Sequence, residues 1–168
     1  MGMDKAYIAY EINDYITRYG AMILRLAMHR VNHLQEAEDI TQEVFLKLFR
    51  QGIQTFHDEE HLKAWLIRVT INLCKDHTKS AWFSKRVHIT EEITQKQEES
   101  YPVLEVVKSL PVKYRDVIYL HYYEGYEVKE IAELLHRKQN TVLSQLSRGR
   151  SMLKKAMIGG FEDEYRRL

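Results

Sequence analysis

The chain has 168 residues, yet only two prolines, seven glycines and one cysteine. With so few breakers, long helical segments are the expected architecture. A lone cysteine, Cys74, cannot build an intrachain disulfide framework, which fits a reducing compartment. No apolar run approaches the roughly 20 residues that span a bilayer. The start, MGMDKAYIAYEIND, lacks the apolar stretch and small-residue cleavage site of a signal peptide, so a cytoplasmic location is expected. Charge of one sign is also missing: the formal net charge is +1. Metal-ligand patterning is thin. His29/His33 and His57/His61 have the i, i+4 spacing that can hold zinc on a helix, but no HExxH, cysteine pair or third ligand accompanies them. No metal, cofactor or catalytic residue is assigned.

What the chain does have is helical periodicity, interrupted once. Residues 4–30 keep it through Ile8, Ile12, Tyr15, Tyr19, Met22, Ile23 and Leu26. A break over 31–35 follows, where Asn32 and Gln35 have capping-box spacing. EAEDITQEVFLKLF (36–49) puts Ala37, Ile40, Val44, Phe45 and Leu48 on an apolar stripe. Glu36, Asp39, Gln42 and Glu43 lie off it and make an acidic face, suited equally to solvent or to a basic partner.

Residues 50–60 read as a loop opened by Gly52. In HLKAWLIRVTINLCKDHTKS (61–80) the expected buried face is Leu62, Trp65, Leu66, Val69 and Leu73. Arg68, Asn72, Lys75 and Lys79 form a second stripe beside it, followed by Trp82, Phe83, Lys85 and Arg86. Cations mixed with rings suit unpaired nucleic acid, because bases stack while cations hold the backbone. The competing reading is a solvated stripe, with Trp82 and Phe83 packed on the bundle.

From about Val87 to Tyr101 the chain turns polar and acidic (ITEEITQKQEES), the composition of a flexible linker. Pro102 suits the first turn of a new helix carrying Val103, Val106, Val107 and Leu110. Pro111 opens another, with Tyr114, Val117, Ile118 and His121 inward and Gly125 as its stop.

EVKEIAELLHRKQNTVLSQLSRGRSMLKK (127–155) then reads as two short helices with a tight turn at His136-Arg137-Lys138, the plan of a helix-turn-helix. Val128, Ile131, Ala132 and Leu135 form one buried stripe, and Val142, Leu146, Gly149 and Leu153 the other. The outer face of the second helix carries Thr141, Ser144, Gln145, Arg148 and Lys155 and no carboxylate. From 129 to 155 there are seven cations and two anions, in a chain close to neutral. Such a face can hold phosphates and read base edges, with Gln suited to adenine and Arg to guanine. The tail from Gly159 to Leu168, opened by Gly-Gly, is expected to be loose.

These stretches, in this order, resemble the extracytoplasmic-function sigma factors, the smallest class of bacterial RNA polymerase sigma subunits. Residues 36–49 resemble the family's polymerase-binding helix, 61–76 its promoter-melting and downstream-element helix, and 110–135 with 141–154 its upstream-element domain. The resemblance implies an all-α chain of two small helical domains: 1–86 for core binding and downstream DNA, a linker over 87–101, and a helix-turn-helix domain over 102–158 with a tail over 159–168.

It further implies that Asp39, Gln42 and Glu43 face the coiled coil of the polymerase's largest subunit. Arg68, Asn72 and Lys75, with Lys79 continuing the stripe, would lie along melted downstream promoter DNA. The loop from Gln51 to His61 would capture a flipped base, since only an unstacked base exposes its pairing edge. Ser144, Gln145 and Arg148 would enter the major groove of the upstream element, with Arg137, Lys138 and Thr141 on nearby phosphates. The second domain would also touch the polymerase flap, and an anti-sigma factor would clamp both domains. The phosphodiester chemistry would belong to the polymerase, so the chain is no enzyme. A stress or envelope response is the expected setting.

The sequence departs from the family at the turn, where His136 replaces a glycine. Asn140-Thr141 stands for a Gly-Thr pair, and Leu143-Ser144-Gln145 for a Lys-Ser-Arg stretch. Losing two cations weakens sequence-independent attraction, and Gln145 for arginine points the base preference toward adenine. The rival reading is a stand-alone helix-turn-helix regulator of duplex DNA. It leaves the acidic helix and the Arg68–Lys79 stripe without a task.

Overall fold

The computed structural model describes residues 5–31, 33–85 and 102–165, with side chains over 13–31, 33–79 and 106–158. Every regular element among these is helical, and the chain divides into two compact units near residue 89.

The first unit is a three-helix bundle of α1 (Lys5–Met28), α2 (Leu34–Gln51) and α3 (Glu59–Lys85). All three pairs of helices pack together. The core is Met22, Ile23, Leu26, Ile40, Val44, Leu48, Leu66 and Ile67. On α2 the buried set is Ala37, Ile40, Val44, Phe45 and Leu48, the stripe expected from periodicity. Helix α2 begins after an extended His33 whose side chain makes no capping bond. Asn32, the expected cap, lies outside the described residues.

Helix α3 departs from expectation. Leu62 and Leu66 are buried, but so are Ile67, Thr70, Ile71 and Cys74, while Trp65, Val69 and Leu73 are only half-buried. The helix packs on both α1 and α2, so its buried arc is wider than one stripe. Thr70 tolerates complete burial because its hydroxyl donates to the Leu66 carbonyl at 2.7 Å. Asp58 starts α3: its Oδ1 accepts from the His61 N–H at 2.7 Å. The side chains of Trp82 and Phe83, and the expected linker over 87–101, lie outside the described residues.

The second unit contains α4 (Pro102–Ser109), α5 (Val112–Ile118), a π-helical turn over Tyr119–Tyr123, α6 (Val128–Leu135) and α7 (Gln139–Tyr165). Helices α4, α5 and α6 all pack on α7. Val107, Leu110, Tyr114, Val117, Ile118, Leu120, Ile131, Ala132, Val142 and Leu146 are buried. Gly149 is buried too, and a Cβ there would meet Ile118 Cγ1 at 3.1 Å. A side chain at this position would therefore press on Ile118 across the α5–α7 contact.

Two details correct the sequence reading, and a third adds to it. On α6 it is Leu134 that is buried, with Val128 and Leu135 only half-buried. On α5 the charged Arg115 and Asp116 are buried among the apolar residues, at 8% and 2% exposure. Helix α7 also runs through Gly159-Gly160 to Tyr165 rather than ending in a loose tail. Two glycines cost roughly 1 kcal/mol each in a helix interior, but a helix already some 20 residues long continues without a new nucleation step.

The turn between α6 and α7 is a Schellman-type stop. His136 sits in the left-handed region (φ 51°, ψ 49°), and the Arg137 N–H reaches back to the Ala132 carbonyl at 2.9 Å. A non-glycine residue there costs roughly 1–2 kcal/mol. The departure at His136 thus keeps the glycine geometry at an energetic disadvantage.

Candidate polymerase and promoter interfaces

On α2, Asp39 and Gln42 are exposed, while Glu43 is half-exposed with Oε1 3.7 Å from Lys47 Nζ. Leu46 and Phe49 lie on the same helix face at 48% and 55% exposure. An acidic edge around exposed apolar side chains is the make-up of a protein interface, where apolar contact supplies affinity and charge supplies register. The apolar stripe does not include Leu46 and Phe49: Phe49 falls just outside the buried arc and Leu46 nearly opposite it.

Beside the start of α3, the loop after Gly52 (φ 81°) forms a short 3-10 turn over Ile53–Thr55. Phe56 packs edge-on against Trp65 and His61, with ring centroids 5.3 and 5.4 Å away. Next to it is a cleft of about 240 Å³ lined by Tyr15, Arg18, Ile53, Phe56, Asp58, Glu59 and Leu62. Its wall is an ordered polar set. Tyr19 donates to Glu59 Oε1 at 2.6 Å, Arg18 pairs with Asp14, and Arg18 Nη1 lies 3.4 Å from the same Glu59 oxygen. Burial and the bond to Glu59 push the Tyr19 hydroxyl well above its usual pKa. The cleft was not legible beforehand, because it joins α1 to a loop some 40 residues away. His57 and His61 stack at 5.4 Å, and His61 Nδ1 faces the His57 N–H at 3.4 Å. Among the described residues, no three His, Cys, Asp or Glu side chains gather as a metal site.

Along α3, Asn72, Lys75 and Lys79 are exposed, and Arg68 is half-buried with Nε 3.4 Å from the Ala64 carbonyl. The four therefore run as one stripe away from the core.

At the helix-turn-helix, Lys138, Thr141, Ser144 and Arg148 are exposed around the N-terminal half of α7. That terminus adds its own N–H groups and positive dipole end to any phosphate contact. Ser144 Oγ donates to the Thr141 carbonyl at 2.9 Å, which fixes its rotamer. Leu143 is 52% exposed on the outer side, where an apolar group can meet a thymine methyl. Arg137 is placed differently from its neighbours. Its Nη1 donates to Gln145 Oε1 at 2.9 Å and to the Lys113 carbonyl at 3.3 Å, and Nη2 lies 3.5 Å from Asp116 Oδ2. Only 23% of its side chain is exposed. The guanidinium thus ties the turn to α5 and to the Gln145 amide.

Comparison with known proteins matches each unit separately. The Sigma-70 region 2 model covers residues 15–84, and the Sigma-70 region 4 model covers residues 101–153. Together they account for most of the chain, in the family's order. The chain is an extracytoplasmic-function sigma factor. This sigma factor is 28% identical over 164 residues to the ECF RNA polymerase sigma factor SigW of Bacillus subtilis, covering 86% of this chain and 87% of that one. It is 26% identical over 162 residues to the RNA polymerase sigma-H factor of Pseudomonas aeruginosa, covering 84% and 83%.

Among solved structures, its fold is similar to the sigma factor RpoE in complex with the anti-sigma factor NepR from Bartonella quintana. The TM-score is 0.70 at 20% identity, covering 88% of this chain and 96% of that one. It is also similar to CnrH in complex with the cytosolic domain of CnrY, with a TM-score of 0.63 at 18% identity, covering 88% of each chain. As a sigma factor it is a DNA-binding initiation factor and not an enzyme. No helix among the described residues is long and apolar enough to cross a membrane.

Proposed function

We propose that this sigma factor brings core RNA polymerase to a specific set of promoters and helps to open them. The observation that carries this is the pair of Sigma-70 region matches, one on each helical unit and in order. A stand-alone regulator would need the second unit only. The first unit's acidic, apolar-centred α2 face and cationic α3 stripe then have tasks. Asp39, Gln42 and Glu43, with Leu46 and Phe49, meet a basic surface of the polymerase's largest subunit. Arg68, Asn72, Lys75 and Lys79 hold the backbone of the melted downstream strand. The Gln51–His61 loop and its cleft offer a ring-lined recess to an unstacked base.

In the second unit, Lys138 and Thr141 hold phosphates, while Ser144, Gln145 and Arg148 face the major groove of the upstream element. The apolar groove of Tyr122, Leu153, Met157 and Ile158, edged by Arg150 and Lys154, takes the polymerase flap. Opening is driven by binding: contacts made only to the separated strand offset the unpairing energy, and no bond is broken by this chain. Working beside the polymerase places it in the cytoplasm, and an anti-sigma factor covering these surfaces would silence it. The two solved neighbours, each in complex with a partner, support that reading.

The test is run-off transcription. Purified chain added to bacterial core enzyme on a genomic DNA library should produce discrete start sites absent with core alone. Failure to do so, with intact chain and active core, together with tight duplex binding by the chain alone, would favour the stand-alone regulator.

A further inference from the structure

We propose that Arg137 is a positioning residue that sets which base Gln145 reads, turning it away from adenine and toward guanine or thymine. This rests on the assignment of α7 to the upstream element. The contact that decides it is the 2.9 Å bond from Arg137 Nη1 to Gln145 Oε1. Arginine has only donors, so the atom facing it must be the amide oxygen, and the usual ambiguity between amide O and N does not arise.

The guanidinium cannot easily leave. It also donates to the Lys113 carbonyl at 3.3 Å and lies 3.5 Å from Asp116, whose side chain is only 2% exposed. Gln145 is half-buried and makes no other side-chain hydrogen bond to a described residue. Its oxygen is therefore held toward α5 and the turn, and its NH₂ is the group left for DNA.

Adenine recognition by glutamine needs both ends of the amide: the oxygen accepts from N6 and the nitrogen donates to N7. Oε1 keeps a second lone pair. A donor brought to it, however, would share the oxygen with a guanidinium beside a full positive charge. The same cation polarises the amide and strengthens its N–H donors. A donor-only group selects major-groove acceptors: guanine presents two, O6 and N7, and thymine O4, whereas adenine sets its one acceptor, N7, beside the N6 donor that the held oxygen no longer meets freely. Specificity at this position is thus set by Arg137 and Asp116 together with the residue that touches the base.

The test uses the full chain with core polymerase on templates whose upstream element is randomised, with transcripts sequenced. Gln145→Ala identifies the position, as the one where base preference collapses. There the wild type should favour guanine or thymine over adenine by roughly tenfold, the scale of one good base contact. Arg137→Met keeps the apolar stem but removes the donors, and should move the preference toward adenine. Gln145→Glu still accepts from Arg137 but offers no donor. It should lose the guanine or thymine preference and gain cytosine, whose N4 donates to a carboxylate.

If Arg137→Met unfolds the second unit, the double variant Arg137→Met/Asp116→Asn repeats the test with the buried carboxylate neutralised as well. Wild-type preference for adenine would overturn the inference. So would an Arg137→Met variant whose output falls equally on all sequences, or a Gln145→Ala variant that changes no position. Absence of any chain-dependent transcript would instead count against the sigma-factor reading itself.

Discussion

Replacing Gly149 with alanine sets two effects against each other on α7. An alanine in a helix interior is worth roughly 1 kcal/mol over glycine. The added Cβ would, however, sit 3.1 Å from Ile118 Cγ1, 3.2 Å from its Cδ1 and 3.5 Å from Tyr114 Cβ. Ile118 is β-branched and only 6% exposed, so it has little room to move aside. Overpacking a filled core costs about 1–3 kcal/mol. We expect the steric term to win, with a net loss of about 1 kcal/mol, or about 4–8 °C in the melting of a unit this small. Gly149→Val, with two more carbons against the same wall and a poorer helix propensity, should lose more.

The molecule supplies its own assay. Both tryptophans, Trp65 and Trp82, belong to α3 of the first unit, so their fluorescence follows that unit alone. Far-UV circular dichroism follows both. Gly149→Ala should lower the dichroism transition assigned to the second unit and leave the fluorescence transition in place. A second unit that melts higher would refute the reasoning, since it would mean that Ile118 yields and that helix propensity alone governs the site.

Other perturbations address separate claims. Asp58→Ala removes the cap on α3 and should lower the first unit's stability by about 1 kcal/mol, read as a lower fluorescence midpoint; an unmoved midpoint would deny the cap any role. Tyr19 keeps its proton more tightly in the folded unit than in the unfolded chain, so its contribution is complete below pH about 10 and declines as pH rises through the raised folded value. The stability gap between wild type and Tyr19→Phe should therefore hold steady from neutral pH and narrow above pH about 10, and a gap that stays constant in alkali would refute the bond to Glu59. Asp39→Arg should weaken binding to core enzyme by on the order of 1 kcal/mol or more, with less loss at high salt and no change in melting; unchanged core affinity would remove α2 from the docking surface. Arg148→Ala should cost about 1–3 kcal/mol at one upstream base pair, whereas an equal loss on every sequence would mark a phosphate contact.

Periodicity reached as far as single-helix logic extends. The α2 stripe was legible in full because its buried residues coincide with the apolar set at i, i+3 and i+4 spacing, and the α6–α7 turn was legible because its length allows nothing else. The wide arc of α3 was not, since burial of Thr70, Ile71 and Cys74 depends on two neighbours at once. The burial of Asp116 is likewise not legible in the sequence. The guanidinium beside it, that of Arg137, lies 21 residues away, and no window along the sequence joins them. Arg137, expected on a phosphate, belongs in structure to that buried pair. Helix α7 outran its expected end because two glycines lower helix propensity without removing a hydrogen bond.

The bridge from Asp116 through Arg137 to Gln145 bears on how promoter preference could be inherited or transplanted. The three residues come from α5, the turn and α7, so no single element holds the whole instruction. Grafting only the exposed positions of α7 onto another helix-turn-helix would carry the reading residue without the parts that aim it. In a lineage of such chains, a change at position 116, never in contact with DNA, could redirect the set of genes that is switched on.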